Sequence, residues 1–328
     1  MSGPWHSRMP CAWVFIFASA GCLPHIASAQ VAGDAAVRAQ WFTGSLEAPS
    51  PALPKGGLLA IEPYLIDQTN IGAYDNAGVR QSSQDGVHQA ISVTVFKYGI
   101  TDRLSIEALQ SVANAWNDQT HATGVGDLPA ELEYRFSDEN KKTGFPSVTA
   151  AIGGTVPLGR YDRLSTPLDG FGSGAYTLKE SLLFQSLFDT WGQHPMRVRL
   201  YGAAFEPTGD VSVRDVSVYG TAQGFRGNAT PGSSGEVGIG VSYGLTQRWV
   251  LACDLLQKSA QGSRVRGVDV LGTSVNTTGA QSRQASVAPA MEYNFSGRMG
   301  LIAGVEFSVS GRNSASYVAP QIALSMAF

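Results

Sequence analysis

The chain has 328 residues, of which 43% are hydrophobic and only 15% charged, and its formal net charge at pH 7 is −3. That charge balance argues against a nucleic-acid partner. After Gln30 no apolar run is long enough to cross a bilayer as a helix, which excludes a helical membrane protein but not a β-barrel, whose strands need be apolar on one face only.

Residues 1–29 read as a secretory leader. Arg8 supplies a sparse positive region, residues 11–24 are apolar, and Ala27, Ser28 and Ala29 form a small-residue cleavage site before Gln30. A lipoprotein reading through Cys22 fits less well, because Ser19 stands where a branched apolar residue is expected. Cys11 and Cys22 fall inside the leader. The mature chain therefore keeps Cys253 alone, and no intrachain disulfide is expected despite export. Residues 30–56 lack strand alternation, carry Pro49, Pro51 and Pro54, and read as a periplasmic lead-in or a short plug.

Residues 57–328 form the barrel domain, a succession of alternating segments. About twelve strands are expected, over 58–67, 88–98, 103–112, 126–136, 146–156, 174–188, 196–205, 235–244, 248–258, 284–295, 298–310 and 315–328. An even count returns both ends to one side of the membrane. The fold class is therefore all-β, a transmembrane antiparallel up-and-down β-barrel. Outward faces are clear in Leu128, Ala130, Leu132, Tyr134 and Phe136, and again in Val237, Ile239, Val241 and Tyr243. A third runs from Met299 through Leu301, Ala303, Val305 and Phe307 to Val309. In 174–188, Glu180 interrupts the parity of Tyr176, Leu178, Leu182, Phe184 and Phe188, so a bulge is expected there.

An internal repeat sets the register. YGITDRLSI at 98–106, YGLTQRWVL at 243–251 and YNFSGRMGL at 293–301 share Tyr, a Ser or Thr three residues on, and Arg two further. A partial copy starts at Tyr134. Each joins two alternating runs by a tight polar turn, with the aromatic suited to an interfacial girdle and the Arg to the headgroup edge. Long polar connections alternate with these turns at about 68–87, 113–125, 157–173, 206–234 and 259–283. The last strand ends the chain. Val318, Pro320, Ile322, Leu324, Met326 and Phe328 lie on one face, and the opposite face is small and polar. A terminal Phe behind such a stripe resembles the assembly signal of bacterial outer-membrane barrels. That places the chain in a Gram-negative outer membrane, with membrane lipid and the barrel-assembly machinery as partners.

Lumen parity falls on Glu62, Glu107, Glu131, Glu133, Arg135, Arg197, Arg199, Glu236, Asp254, Glu292 and Glu306. A charge facing lipid at the midplane costs about 2–4 kcal/mol for Arg or Lys, so charge and inward parity agree. These residues either line a polar conduit or fill a narrow barrel with a salt-bridge network. Acidic and basic types are mixed, so strong ion selectivity is not indicated. Three mature histidines, His88, His121 and His194, test the enzyme alternative. His88 and Ser92 share a face but lie roughly 13 Å apart at strand rise, beyond hydrogen-bond reach. No Cys pair or His cluster offers a metal site, and no cofactor is expected.

Several stretches resemble the MetA-pathway of phenol degradation family: LPKGGLLAIEPYLIDQTNIGAYDN at 53–76, GVGDLPAELEYRF at 124–136, FPSVTAAIGGTVPLGRYDR at 145–163, and the YGITDR-type turns. The resemblance implies an outer-membrane barrel associated with uptake of aromatic or other hydrophobic compounds, and it carries over no catalytic residue. The expected function is a channel or transporter for a small hydrophobic cargo. The alternatives are a lipid-modifying barrel enzyme and a structural barrel with a closed lumen.

Overall fold

The computed structural model describes residues 40–82, 86–140, 143–190 and 194–328. The leader expected over residues 1–29 lies outside the described residues. In chain order the strands are β1 (Leu59–Tyr74), β2 (Arg80–Ser82), β3 (His88–Thr101), β4 (Leu104–Trp116), β5 (His121–Val125), β6 (Leu128–Ser137), β7 (Ser147–Val156), β8 (Thr177–Asp189) and β9 (Pro195–Pro207). They continue as β10 (Val211–Arg214), β11 (Arg226–Thr230), β12 (Ser234–Gly244), β13 (Trp249–Ala260), β14 (Arg264–Val268), β15 (Ser274–Thr278), β16 (Ser282–Ser296), β17 (Met299–Arg312) and β18 (Ser314–Ala327).

Twelve of these make a closed antiparallel barrel, in the order β1-β3-β4-β6-β7-β8-β9-β12-β13-β16-β17-β18. Closure comes from β18 pairing with β1, where Ala327 faces Ala60 and Ile322 faces Leu65. Phe328 extends this seam. Its N–H donates to Leu59 O at 2.8 Å, and its ring stays exposed on the outer wall. Closure leaves no strand edge to meet lipid, as a membrane crossing made of strands requires. Side chains alternate across the wall: Leu132, Tyr134, Val237, Ile239 and Ile322 are exposed, while Glu131, Glu133, Glu236 and Gln321 are buried.

The tight turns share one device. Thr101 Oγ1 accepts from the N–H of Arg103 (3.2 Å) and of Leu104 (3.0 Å), and Thr246 Oγ1 accepts from Arg248 (3.3 Å) and Trp249 (3.0 Å). Ser296 Oγ likewise accepts from Arg298 N–H at 3.2 Å. A hydroxyl that caps its own turn is why the repeat holds Ser or Thr there. In each copy the Arg carbonyl then accepts from another strand, from Arg135, Asn294 and Ala327 respectively. In the partial copy the Ser137 hydroxyl instead donates to Pro146 O at 3.0 Å. Trp249, Tyr293, Phe295, Tyr134 and Phe136 form an aromatic belt at this end, with Trp249 and Tyr293 centroids 4.6 Å apart. Short turns mark the periplasmic end of such barrels.

The opposite end departs from the expected long loops. The run 113–125 is a strand pair, β4 with β5, closed by a turn at Asn117. The connections 206–234 and 259–283 contribute β10-β11-β14-β15, a small four-stranded sheet. Its inner face (Val211, Val213, Phe225, Ala229, Val265) packs with Ala175 from the β7–β8 connection. Outside the hydrocarbon layer these strands need no continuous apolar face, so their alternation is short and easily passed over. The expected bulge in 174–188 is not there. β8 pairs with β7 and β9 without a register shift, and Glu180 points outward, exposed. It stands three residues from the extracellular end of β8, where a lipid-facing charge costs about 0–1 kcal/mol rather than its midplane penalty.

Candidate functional site

Residues 42–54 are buried inside the barrel. The segment begins at the periplasmic end, where Trp41 N–H donates to Gln247 O (3.3 Å) and Trp41 O accepts from Asn294 Nδ2 (3.1 Å). It leaves at the same end, where Gly56 N–H donates to Asp102 Oδ1 (3.0 Å). Between these points it bends through the lumen. Three prolines and no β pattern keep it from joining the sheet, so its backbone groups must find partners among the inward side chains.

Those partners are the inward charges. Asp254 accepts from Ser45 Oγ at 2.6 Å, Glu47 N–H at 2.8 Å and Ala48 N–H at 3.4 Å. Arg197 donates to Gly44 O (2.7 Å) and Ser242 Oγ (3.2 Å), with its guanidinium 4.6 Å from the Phe42 ring centre. Arg199 donates to Ala48 O (3.0 Å) and Gln185 Oε1 (3.1 Å). Glu292 accepts from Thr43 N–H and from Thr43 Oγ1 (2.8 Å). Thr149 Oγ1 donates to Pro51 O at 2.7 Å, and Gln321 Nε2 to Glu47 Oε1 at 2.6 Å. Leu46 is fully buried in an apolar cluster of inward residues that includes Tyr64, Val93, Val95, Leu109 and Ile302.

A second group of charges belongs to the wall alone. Lys97 Nζ lies 2.9 Å from Glu107 and 2.8 Å from Glu133, and Lys179 Nζ lies 2.9 Å from Glu131. Glu107, Glu131 and Glu133 offer carboxylate oxygens within 4.8 Å of one another, and the lysines stand against them. Glu62 accepts from Tyr64 Oη (3.0 Å), and Glu306 accepts from Ser286 Oγ and Tyr317 Oη, both at 2.7 Å. Glu236 is buried on β12. Arg135 shares their parity but sits at the periplasmic rim, where it meets Asp138 (3.1 Å) and Asp102 O (2.7 Å).

Lys97, Lys179 and Glu47 escaped the reading by parity. Lys97 is buried on the same inward face as Val93 and Val95, whose apolar side chains mask the polar character of that face, and the outward Glu180 masks the inward position of Lys179. A lysine within the hydrocarbon layer would have fixed the parity of both strands. His88 meets Thr69 Oγ1 at 3.0 Å and stacks on Trp116, rather than meeting Ser92. His194 meets Gly244 O at 2.8 Å.

Burial first, and then the nearby Glu306 carboxylate, hold the Glu47 carboxyl above its ordinary range, against Lys258 and the Gln321 hydrogen bond. A raised carboxyl favours the docked segment while protonated. Docking is therefore strongest below the free carboxyl's pKa and weakens as pH rises through the raised value. Protease protection of residues 42–54 should fall as pH rises, and Glu47→Gln should flatten that dependence. An unchanged slope in the variant would remove Glu47 from the account.

No family model matches the chain, and no curated protein does. Among solved structures, the COG4313 outer membrane channel from Pseudomonas putida F1 aligns with a TM-score of 0.62 at 18% identity, over 84% of this chain and 97% of that one. The Ralstonia pickettii toluene transporter TbuX aligns at TM-score 0.39 and 9% identity, over 85% and 91% of the two chains. The NalP autotransporter translocator domain from Neisseria meningitidis aligns at 0.39 and 11%, over 83% and 89%. The TM-score of 0.62 shows that this barrel shares its fold with the COG4313 channel.

Proposed function

We propose that the protein is a channel of the Gram-negative outer membrane for small hydrophobic or aromatic compounds, closed in this conformation by its own amino-terminal segment. One observation carries the reading. The interior of such barrels is ordinarily polar, yet here Val93, Val95, Leu109 and Ile302 line one inward patch and the segment covers it with Leu46. Removing the segment would expose an apolar inner surface beside polar walls, which suits a cargo with an aromatic body and a polar edge. The tie between segment and wall is polar and reversible, because water can replace most of its hydrogen bonds.

The channel fold of the aligned structure and the resemblance in residues 53–76, 124–136 and 145–163 support the same reading. A permanently closed structural barrel is the second reading, favoured by the filled interior. Reconstituted in liposomes, the protein should pass toluene-sized aromatics and aromatic acids faster than a sugar of similar size. Uptake equal to that of empty liposomes, with folding verified by heat-modifiable gel mobility, would favour the second reading.

A further inference from the structure

The small extracellular sheet buries one face on its apolar cluster and leaves the other open. On the open face stand Arg214, Arg226, Arg264 and Arg266, all exposed. Arg214 and Arg226 are direct cross-strand partners, and Arg266 is diagonal to Arg226, because Arg226 faces Val268. Arg264 precedes Arg266 by two residues on the same face of β14. Like charges directly opposite one another destabilise a sheet, and nothing in the fold requires arginine at these exposed positions.

Among the described residues no ion pair reaches these four side chains. The acids of the surrounding loops accept from backbone N–H groups and neutral side chains rather than from these guanidinium groups. Asp162 accepts from Arg214 N–H, Asp215 from Gly224 N–H and Gln223, and Asp269 from the N–H groups of Leu271 and Thr273. Asp210 accepts from Thr230 Oγ1 at the edge of the face. In a chain of net charge −3, this is a local concentration of guanidinium groups facing outward.

We infer that this face binds the phosphorylated sugars of lipopolysaccharide in the surrounding outer leaflet, independently of what the barrel passes. Guanidinium forks match phosphate oxygens in pairs, and clusters of basic residues beside a membrane read anionic head groups. Length decides against a single small anion. Strand rise and spacing put the four arginines along a band of roughly 17 Å, which one carboxylate or phosphate cannot span. The site therefore fits a polyanion held above the membrane at the level of the sheet.

The test uses the full chain in phosphatidylcholine nanodiscs. Binding is measured for intact lipopolysaccharide, the same material enzymatically dephosphorylated, and inorganic phosphate. Intact lipopolysaccharide should bind tightest, and its binding should weaken with salt. Arg226→Ser with Arg266→Ser should weaken it by about a hundredfold or more, with heat-modifiable mobility unchanged. Equal binding of the dephosphorylated form, inorganic phosphate competing at micromolar concentration, or an unaffected double variant would each overturn the assignment.

Discussion

Asp254→Ala is expected to free the amino-terminal segment while leaving the barrel wall folded. Asp254 is buried at mid-strand in β13 and is the acceptor for Ser45, Glu47 and Ala48. Hydrogen bonds to a charged group are worth about 1.5–3 kcal/mol each, so losing this set removes several kcal/mol from docking. The wall keeps its backbone ladders, including Asp254 opposite Ala288 and Gly240. Proteolysis should then cut within residues 42–54, and planar-bilayer conductance should rise well above that of the parent. Asp254→Asn, which keeps an acceptor oxygen, should give a smaller effect. A segment as protected as before would mean that Asp254 is not its anchor.

Lys97→Met should destabilise the wall itself. Lys97, Glu107 and Glu133 are each at most 2% exposed, and the lysine stands between the two carboxylates. Ser105 Oγ adds a 2.7 Å bond to Glu133. Removing one partner of a buried ion cluster leaves uncompensated charge and costs about 3–5 kcal/mol. The temperature at which the folded gel band converts to the unfolded one should drop accordingly. Adding Glu107→Gln and Glu133→Gln should recover most of the loss, because the same rule makes a neutral cluster tolerable. A single variant as heat-resistant as the parent would contradict the ion-cluster account.

The wall was legible because it obeys a period of two. Leu128 to Phe136 and Met299 to Val309 show their outward faces in the sequence, and the Ser or Thr of the YGITDR-type turns marks where chain direction reverses. Glu180 misled, because its charge near the extracellular end suggested a bulge where the ladder is continuous. The extracellular sheet was hidden for a related reason: short strands such as Val211–Arg214 carry too few residues to show a period.

The amino-terminal segment was the least legible. Its contacts run from backbone N–H and C=O groups to Asp254, Arg197 and Arg199, and every sequence carries those backbone groups. The inward charges could be picked out one by one. What joined them, the carbonyls of Gly44 and Ala48 and the side chain of Leu46, had no signature of its own. Lys97 and Lys179 were readable in principle, since a lysine in mid-strand cannot face lipid cheaply.

The central claim is that residues 42–54 close a passage that exists without them. The most direct measurement is aromatic-acid uptake into liposomes carrying either the chain from residue 30 onward or a variant of it in which residues 42–54 are replaced by a Gly-Ser linker of equal length. The account predicts slow uptake through the full chain and uptake at least about tenfold faster through the variant, a change of about 1.4 kcal/mol in barrier. Equal uptake by two folded barrels would contradict it.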